Sequence, residues 1–145
     1  MIRILALSLL LAVPARAAPS AGDAWIRANA VPGRPAAGYL TLTGGSRPDT
    51  LVSVTSPGLR IEVHSTTMDS GVMKMAKRDT LPVPAGAKVA LATGGNHLMI
   101  YGLTSAAKAV PLTLTFRSGA NVATLAEVRA PATAAPDPHA GHAQH

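Results

Sequence analysis

Apolar and polar residues alternate along most of this chain in short runs, a period of two that is typical of half-buried β-strands. Between residues 37 and 128 the runs are AGYLTLT, TLVSV, LRIEVH, VMKM, KVALA, HLMIYGL, PLTLTF and ATLAEV. Turn signals such as Gly44-Gly45, Ser56-Pro57-Gly58 and Asp69-Ser70-Gly71 separate them. No segment has the periodicity of an amphipathic helix of three turns. The pattern predicts an all-β fold built as an antiparallel β-sandwich or barrel.

Residues 1–17 have the three regions of a secretory signal peptide. Arg3 precedes an apolar run from Ile4 to Val13, and Ala15-Arg16-Ala17 forms an A-x-A cleavage signal. The apolar run is about half the length of roughly twenty residues that a membrane-spanning helix needs. We therefore expect export to the periplasm, cleavage after Ala17, no membrane anchor, and a folded domain over residues 18–129.

Residues 130–145 lose the alternating pattern and become rich in alanine and proline. Such a segment cannot bury a core, so we expect a flexible tail. Its histidines, His139, His142 and His145, could together bind Cu(II), which imidazole suits well. The alternative is a polar tail that binds metal only weakly.

The sequence has no cysteine, which excludes several kinds of chemistry. A cysteine nucleophile, a redox CxxC motif, a blue-copper centre and an acylated-cysteine anchor all need the missing thiol. The formal charge is +6; loss of Arg3 and Arg16 with the signal leaves eleven basic and seven acidic residues, or +4. No basic cluster is interleaved with aromatic residues, so nucleic-acid binding is not expected.

Methionine and histidine are crowded into one part of the predicted domain. All of those outside the signal and the tail lie between residues 64 and 99, and they are His64, Met68, Met73, Met75, His97 and Met99. Taken singly, a methionine is usually core filler and a strand histidine a surface residue. Together, soft thioethers and imidazoles suit Cu(I) better than Zn²⁺, Mg²⁺ or Ca²⁺.

Two of the predicted strands place these residues opposite their apolar neighbours. In HLMIYGL, His97 and Met99 share one face, and Leu98 and Ile100 can enter the core. In LRIEVH, alternation likewise directs His64 away from the core face. Contact between these two strands would be long-range, and sequence spacing permits it but does not establish it.

A hairpin can bring a further ligand to His64. The turn signal after LRIEVH allows VMKM to return antiparallel to it, so that Met73 or Met75 approaches His64 on the face that also carries Glu62. Both methionines fall on the same face, so alternation does not choose between them.

The spacing of four of these residues resembles the signature of the periplasmic copper chaperones called PCu(A)C. His64 is followed by ten residues and then Met75. Twenty-one further residues lead to His97, and Met99 completes a His-x-Met motif. Flanking segments such as AWIRA, AAGYLTL and EVHSTTMDSGVMKM are also similar to the family, and the resemblance covers most of residues 23–129.

The resemblance implies a cupredoxin-like fold and an exposed Cu(I) site with two histidines and two methionines. It selects Met75 over Met73 as the ligand, leaving Met68 and Met73 to pack or to surround the site. It also implies a role in supplying copper to the dinuclear copper site of cytochrome c oxidase, often alongside a thioredoxin-like Sco assembly protein. Some relatives carry His- or Met-rich C-terminal extensions.

We therefore expect a monomeric metallochaperone and not an enzyme, since no catalytic constellation is recognisable. It would hold Cu(I) through four neutral ligands and release it by ligand exchange to a thiolate-bearing acceptor, either the copper-site subunit of cytochrome c oxidase or a Sco-type protein. Acid should weaken binding because protons compete for the imidazoles. Two alternatives are a copper sequestration or resistance protein without directed transfer, and a binding module whose methionines are only core.

Overall fold

The computed structural model describes residues 16–132. Most of the predicted signal peptide and the tail histidines, His139, His142 and His145, lie outside the described residues. Within residues 16–132 no helix is long and apolar enough to cross a membrane.

The described residues form ten β-strands, so the all-β prediction is confirmed. The strands are β1 (Ser20–Arg27), β2 (Ala36–Thr43), β3 (Asp49–Thr55), β4 (Arg60–Asp69), β5 (Val72–Arg78), β6 (Leu81–Val83), β7 (Lys88–Leu91), β8 (Asn96–Tyr101), β9 (Ala109–Phe116) and β10 (Asn121–Arg129). The last strand ends at the residue where the alternating pattern of the sequence stops.

The strands join into one sheet of mixed direction with the order β5-β4-β8-β2-β1-β10-β9-β3-β6, and β7 also pairs with β2. Neighbours pair antiparallel except β1 and β10, which run parallel with Trp25 opposite Glu127. This parallel pair joins the two ends of the described chain. Sequence alternation, which predicts strands but not their partners, did not reveal it.

A cluster of buried apolar side chains, with Phe116 as its largest member, fills the interior. It draws residues from both halves of the sheet order, including Leu98 on β8 and Leu114 on β9. The sheet therefore curls around one core, as a sandwich or barrel requires.

Close packing between β2 and β8 requires a glycine. A Cβ on Gly38 would lie 3.0 Å from a methyl carbon of Ile100 and 3.1 Å from the Cβ of Leu98. Both of these β8 side chains are fully buried, so a larger residue at position 38 would displace them. The absence of a side chain at Gly38 thus leaves room for Leu98 and Ile100 on the strand that also carries His97 and Met99.

The β4–β5 hairpin closes through a two-residue turn. Asp69 pairs with Val72, and the residues between them, Ser70 and Gly71, have φ of 50° and 78°. Positive φ at both central positions is the type I′ geometry that matches the twist of the flanking strands. The turn predicted at Asp69-Ser70-Gly71 is confirmed.

Candidate metal centre

The pairing of β4 with β8 brings the two predicted histidines face to face. His64 lies directly opposite His97, and their ring centroids are 6.0 Å apart. An ion bound about 2 Å from one nitrogen of each ring would hold the ring centres roughly 6 Å apart. The long-range contact that the sequence left open is therefore made, at a spacing that one metal ion can bridge.

Met99 lies on the same face, beside the histidine pair. It follows His97 by two residues on β8 and is paired with Glu62, which precedes His64 by two residues on β4. Leu98 and Ile100 point into the core and are fully buried, as the alternation predicted.

The register of the hairpin separates Met75 from Met73. Lys77 is the residue directly opposite His64 on β5, and Met75 is opposite Thr66. Met75 is thus displaced from His64 by two residues, about 7 Å along the strand, whereas Met73 is displaced by four residues, or about 13 Å. Both methionines share the face of His64, but Met75 is the nearer one.

The ring of His97 is held by the backbone that precedes it. Its Nδ1 lies 3.0 Å from the carbonyl oxygen of Gly95, which also accepts a hydrogen bond from the amide of Thr66 on β4. Only 5% of His97 is exposed. When Nδ1–H donates to this carbonyl, Nε2 is left as the free nitrogen for a ligand, the arrangement that metal-binding histidines commonly adopt.

The ring of His64 is held through its other nitrogen. Its Nε2 lies 2.9 Å from Oε2 of Glu62, which leaves Nδ1 free. A carboxylate that orients a ligand histidine is a common partner in metal sites. Sequence alternation placed Glu62 on this face but assigned it no role, although a carboxylate two residues from a strand histidine was a usable signal.

The charges around Glu62 favour its ionised form. The hydrogen bond with His64 is the main reason why the pKa of Glu62 lies below its ordinary value of 4.5, and the cations of Arg60 and Lys77 lower it further against the opposing effect of burial. Arg60 forms an ion pair with Glu62 and stacks over the ring of Tyr101, 3.8 Å from its centroid.

The methionines of the hairpin do not pack in the core. Met75 is 59% exposed, and Met68 and Met73 are each 66% exposed. The expectation that Met68 and Met73, taken singly, are core filler is wrong, because nothing within residues 16–132 covers the face of the hairpin that they share.

A layer of aromatic and cationic side chains covers the same face nearer β1. The ring of Trp25 lies 4.7 Å from that of Tyr39 on β2, and the guanidinium groups of Arg27 and Arg129 lie 5.1 and 4.5 Å from its centroid. Tyr39 follows Ala37 by two residues on β2 and so shares its face, and Ala37 pairs with Met99. The only tryptophan of the sequence therefore lies on the face of the histidine pair.

The donors on this face suit a soft monovalent ion. Two imidazoles, each with one nitrogen held by a protein oxygen, stand beside thioethers that need no deprotonation. The arrangement brings together His64, His97 and Met99, with Met75 within reach of a flexible side chain.

Comparison with solved structures gives the fold a name. The copper-bound PCuAC domain from PmoF2 matches with a TM-score of 0.63 at 24% identity, covering 81% of this chain and 97% of that one. The apo PmoF2 PCuAC domain matches with a TM-score of 0.63 at 26% identity, covering 82% and 95%. The apo PCuAC domain from PmoF1 matches with a TM-score of 0.57 at 22% identity, covering 80% and 92%. The resemblance to PCu(A)C proteins and the cupredoxin-like fold predicted from it are confirmed.

Sequence comparison places the chain in a family. The model of the LpqE-like lipoprotein family matches residues 20–128. No curated protein sequence matches the chain. The match runs from the first residue of β1 to one residue before the end of β10, and the chain belongs to the LpqE-like family.

Proposed function

We propose that this member of the LpqE-like family is a periplasmic copper carrier and not an enzyme. Its cargo would be Cu(I), held by His64, Met75, His97 and Met99. The observation that carries the proposal is the directly opposed pair of histidines, each with one ring nitrogen held by a protein oxygen and the other left free. The likeness to the copper-bound PCuAC domain from PmoF2 adds to this support.

The proposed ligands differ in how easily they would exchange. His97 is buried and would bind through Nε2, while the half-buried His64 would bind through Nδ1. Met75 is mostly exposed on the edge strand β5. Because thioethers are neutral, an incoming thiolate can replace Met75 first without separating opposite charges, and the imidazoles then release the ion.

The acceptor in this proposal carries thiolates, as the copper-site subunit of cytochrome c oxidase and a Sco-type assembly protein would. Transfer would leave copper as Cu(I), so no electron donor is needed. A sequestering protein would bind the same ion but keep it. Incubating the Cu(I)-loaded chain with each apo acceptor, and measuring the copper content of both after separation, distinguishes a carrier from a reservoir.

The site assignment is tested by Cu(I) affinity. The chain without residues 1–17 is titrated anaerobically in competition with a coloured Cu(I) chelator, alongside the variant His64→Ala/His97→Ala. Loss of two ligands should lower the affinity by at least about a hundredfold. The matched control is His139→Ala/His142→Ala, which removes two histidines outside the described residues and should leave this affinity unchanged. Equal affinities of the His64/His97 variant and the parent chain would exclude the proposed site.

A further inference from the structure

Three exposed methionines lie together at the tip of the β4–β5 hairpin. Met68 on β4 is directly opposite Met73 on β5, and Met75 follows Met73 by two residues on the same face. Directly opposed residues have Cβ atoms about 5 Å apart, and diagonal neighbours are about 7–8 Å apart. The three thioethers can therefore reach one point above the sheet, since methionine has three rotatable bonds.

The exposure of these side chains has no packing explanation. Met68 and Met73 are each 66% exposed, and Met75 is 59% exposed, although methionine ordinarily fills gaps in a core. Lys74 points to the other face and pairs with Asp69 at 3.0 Å. Between Met68 and Met75 the face that the methionines share therefore carries neutral side chains, and Lys77, opposite His64, is the cation that follows Met75 on that face.

Met75 joins the hairpin tip to the histidine pair. It is opposite Thr66, whose neighbours two residues away on β4 are His64 on one side and Met68 on the other. Met75 is therefore diagonal to both, at about 7–8 Å from each. Exposure falls along the same line, from Met68 at the tip to the buried His97.

We propose that Met68, Met73 and Met75 form a second Cu(I) site, through which the ion enters and leaves the histidine pair. This inference rests on the function proposed above and adds a site to it. Three neutral thioethers would hold Cu(I) more weakly than a set that includes two imidazoles. In the inward step, Met75 keeps its bond while nitrogens of His64 and His97 replace the sulfurs of Met68 and Met73. Copper remains Cu(I), and no proton or electron is exchanged with a partner.

The test uses Ag(I), a soft monovalent ion that is not redox-active, on the chain without residues 1–17 labelled with ¹³C at the methionine methyl groups. The first equivalent should shift the resonances of Met75 and Met99. Further Ag(I) should shift those of Met68 and Met73. In Met68→Leu/Met73→Leu, a substitution of similar volume, the first event should persist and the second should vanish.

Kinetics give the second readout. Loss of the outer site should slow transfer of Cu(I) from the loaded chain to a small chelator by roughly tenfold, because the ion loses its locally concentrated exit ligands. Equilibrium affinity should stay within about twofold of the parent value. The matched control is Val72→Ala, which trims another exposed apolar side chain of the same hairpin without removing sulfur and should not change the rate.

The two proposals fail in different ways. Methyl resonances of Met68 and Met73 that stay fixed at excess Ag(I), or an unchanged transfer rate in the leucine variant, would overturn the outer site while leaving the inner one intact. If the methyl resonances of Met75 and Met99 do not shift on addition of the first equivalent of Ag(I), the function proposed above is instead overturned.

Discussion

At the scale of single residues, Glu62 orients one histidine of the proposed copper site without being one of its proposed ligands. Its carboxylate holds Nε2 of His64 and thereby selects Nδ1 as the free nitrogen. Glu62→Ala should lower Cu(I) affinity by about tenfold, because partners of ligand histidines typically contribute that much or more. Competition with a Cu(I) chelator measures the change.

Two further variants of the chain serve as the rescue and the control for this prediction. Glu62→Gln keeps an oxygen that can accept from His64 and should recover most of the affinity. Glu127→Ala removes the same charge from an exposed strand position opposite Trp25 and should have no effect. Equal losses in the alanine variants at positions 62 and 127 would show that net charge, and not orientation of His64, is responsible.

Asp49 makes the stability of the fold dependent on pH. Its carboxylate accepts hydrogen bonds from the Ser118 hydroxyl and from the amides of Thr50 and Ser118, which ties β3 to the β9–β10 turn. The Ser118 side chain is the main reason why the pKa of Asp49 lies below 3.8. A lowered carboxyl pKa stabilises the fold above the unfolded-state value, and this stabilisation is lost as pH falls through the folded-state value.

Urea unfolding of the parent chain and of Asp49→Asn at two pH values checks this linkage. At pH 7 the variant should be less stable than the parent. Below about pH 3 the difference should shrink, because the parent carboxylate is then also being protonated. Asp79→Asn, which removes the same charge from an exposed position, is the control for the effect of net charge on stability. A stability difference for Asp49→Asn that is the same at both pH values would contradict the assignment.

At the scale of elements, the β4–β5 hairpin depends on its turn. Gly71 has a φ of 78°, and a Cβ there would meet no atom within 4 Å, so the cost of substitution is conformational and not steric. Gly71→Ala should destabilise the hairpin by about 1–2 kcal/mol. Ser70→Asn should instead stabilise it, since Asn-Gly is the favoured pair for a type I′ turn.

Thermal unfolding of the two turn variants measures both effects. Because β5 carries Met75, a weakened hairpin should also weaken Cu(I) binding, and the tighter turn should not. Gly119→Ala, at a positive-φ glycine of the distant β9–β10 turn, is the control for general destabilisation. Its Cu(I) affinity should match that of the parent chain at temperatures where it is folded.

The hairpin was predictable because every signal for it is local. The turn sequence and the alternation on either side specify the strands, the face and the approach of Met73 and Met75 to His64. The β4–β8 pairing was not predictable, because alternation describes one strand at a time and does not indicate which strand lies beside it. The choice of Met75 over Met73 came from the resemblance and not from alternation, and the register, in which Met75 is two residues and Met73 four residues from the position opposite His64, agrees with it.

At the scale of the whole molecule, the candidate site depends on contacts between distant parts of the chain. His64 and His97 meet only because β4 and β8 are adjacent, and β8 is positioned by β2, which β1 supports in turn. The parallel pairing of β1 with β10 then joins the beginning of the domain to its end. Alternation and turn signals predicted the all-β class, and the resemblance to PCu(A)C proteins predicted its cupredoxin-like form, while these pairings required the structure.

This architecture predicts that a bound ion stabilises the entire domain. An ion that links β4, β5 and β8 binds the folded state only, so at a hundredfold excess over its dissociation constant it should add about 2.7 kcal/mol to the free energy of unfolding. The midpoint of thermal unfolding should rise by on the order of 10 °C. Thermal scans of the chain without residues 1–17, with and without Ag(I), measure this shift, and His64→Ala/His97→Ala should remove most of it.

Two truncations locate the stabilised unit. Deleting residues 133–145 leaves all ten described strands and should preserve both folding and the Ag(I) shift. Deleting residues 121–145 removes β10, which leaves β1 and β9 without a shared partner and uncovers the part of the core that Ala126 packs against, so this chain should not unfold cooperatively. A shift that disappears on deletion of residues 133–145 would move the binding site from the strands to the C-terminal histidines, because that shorter chain keeps all ten described strands.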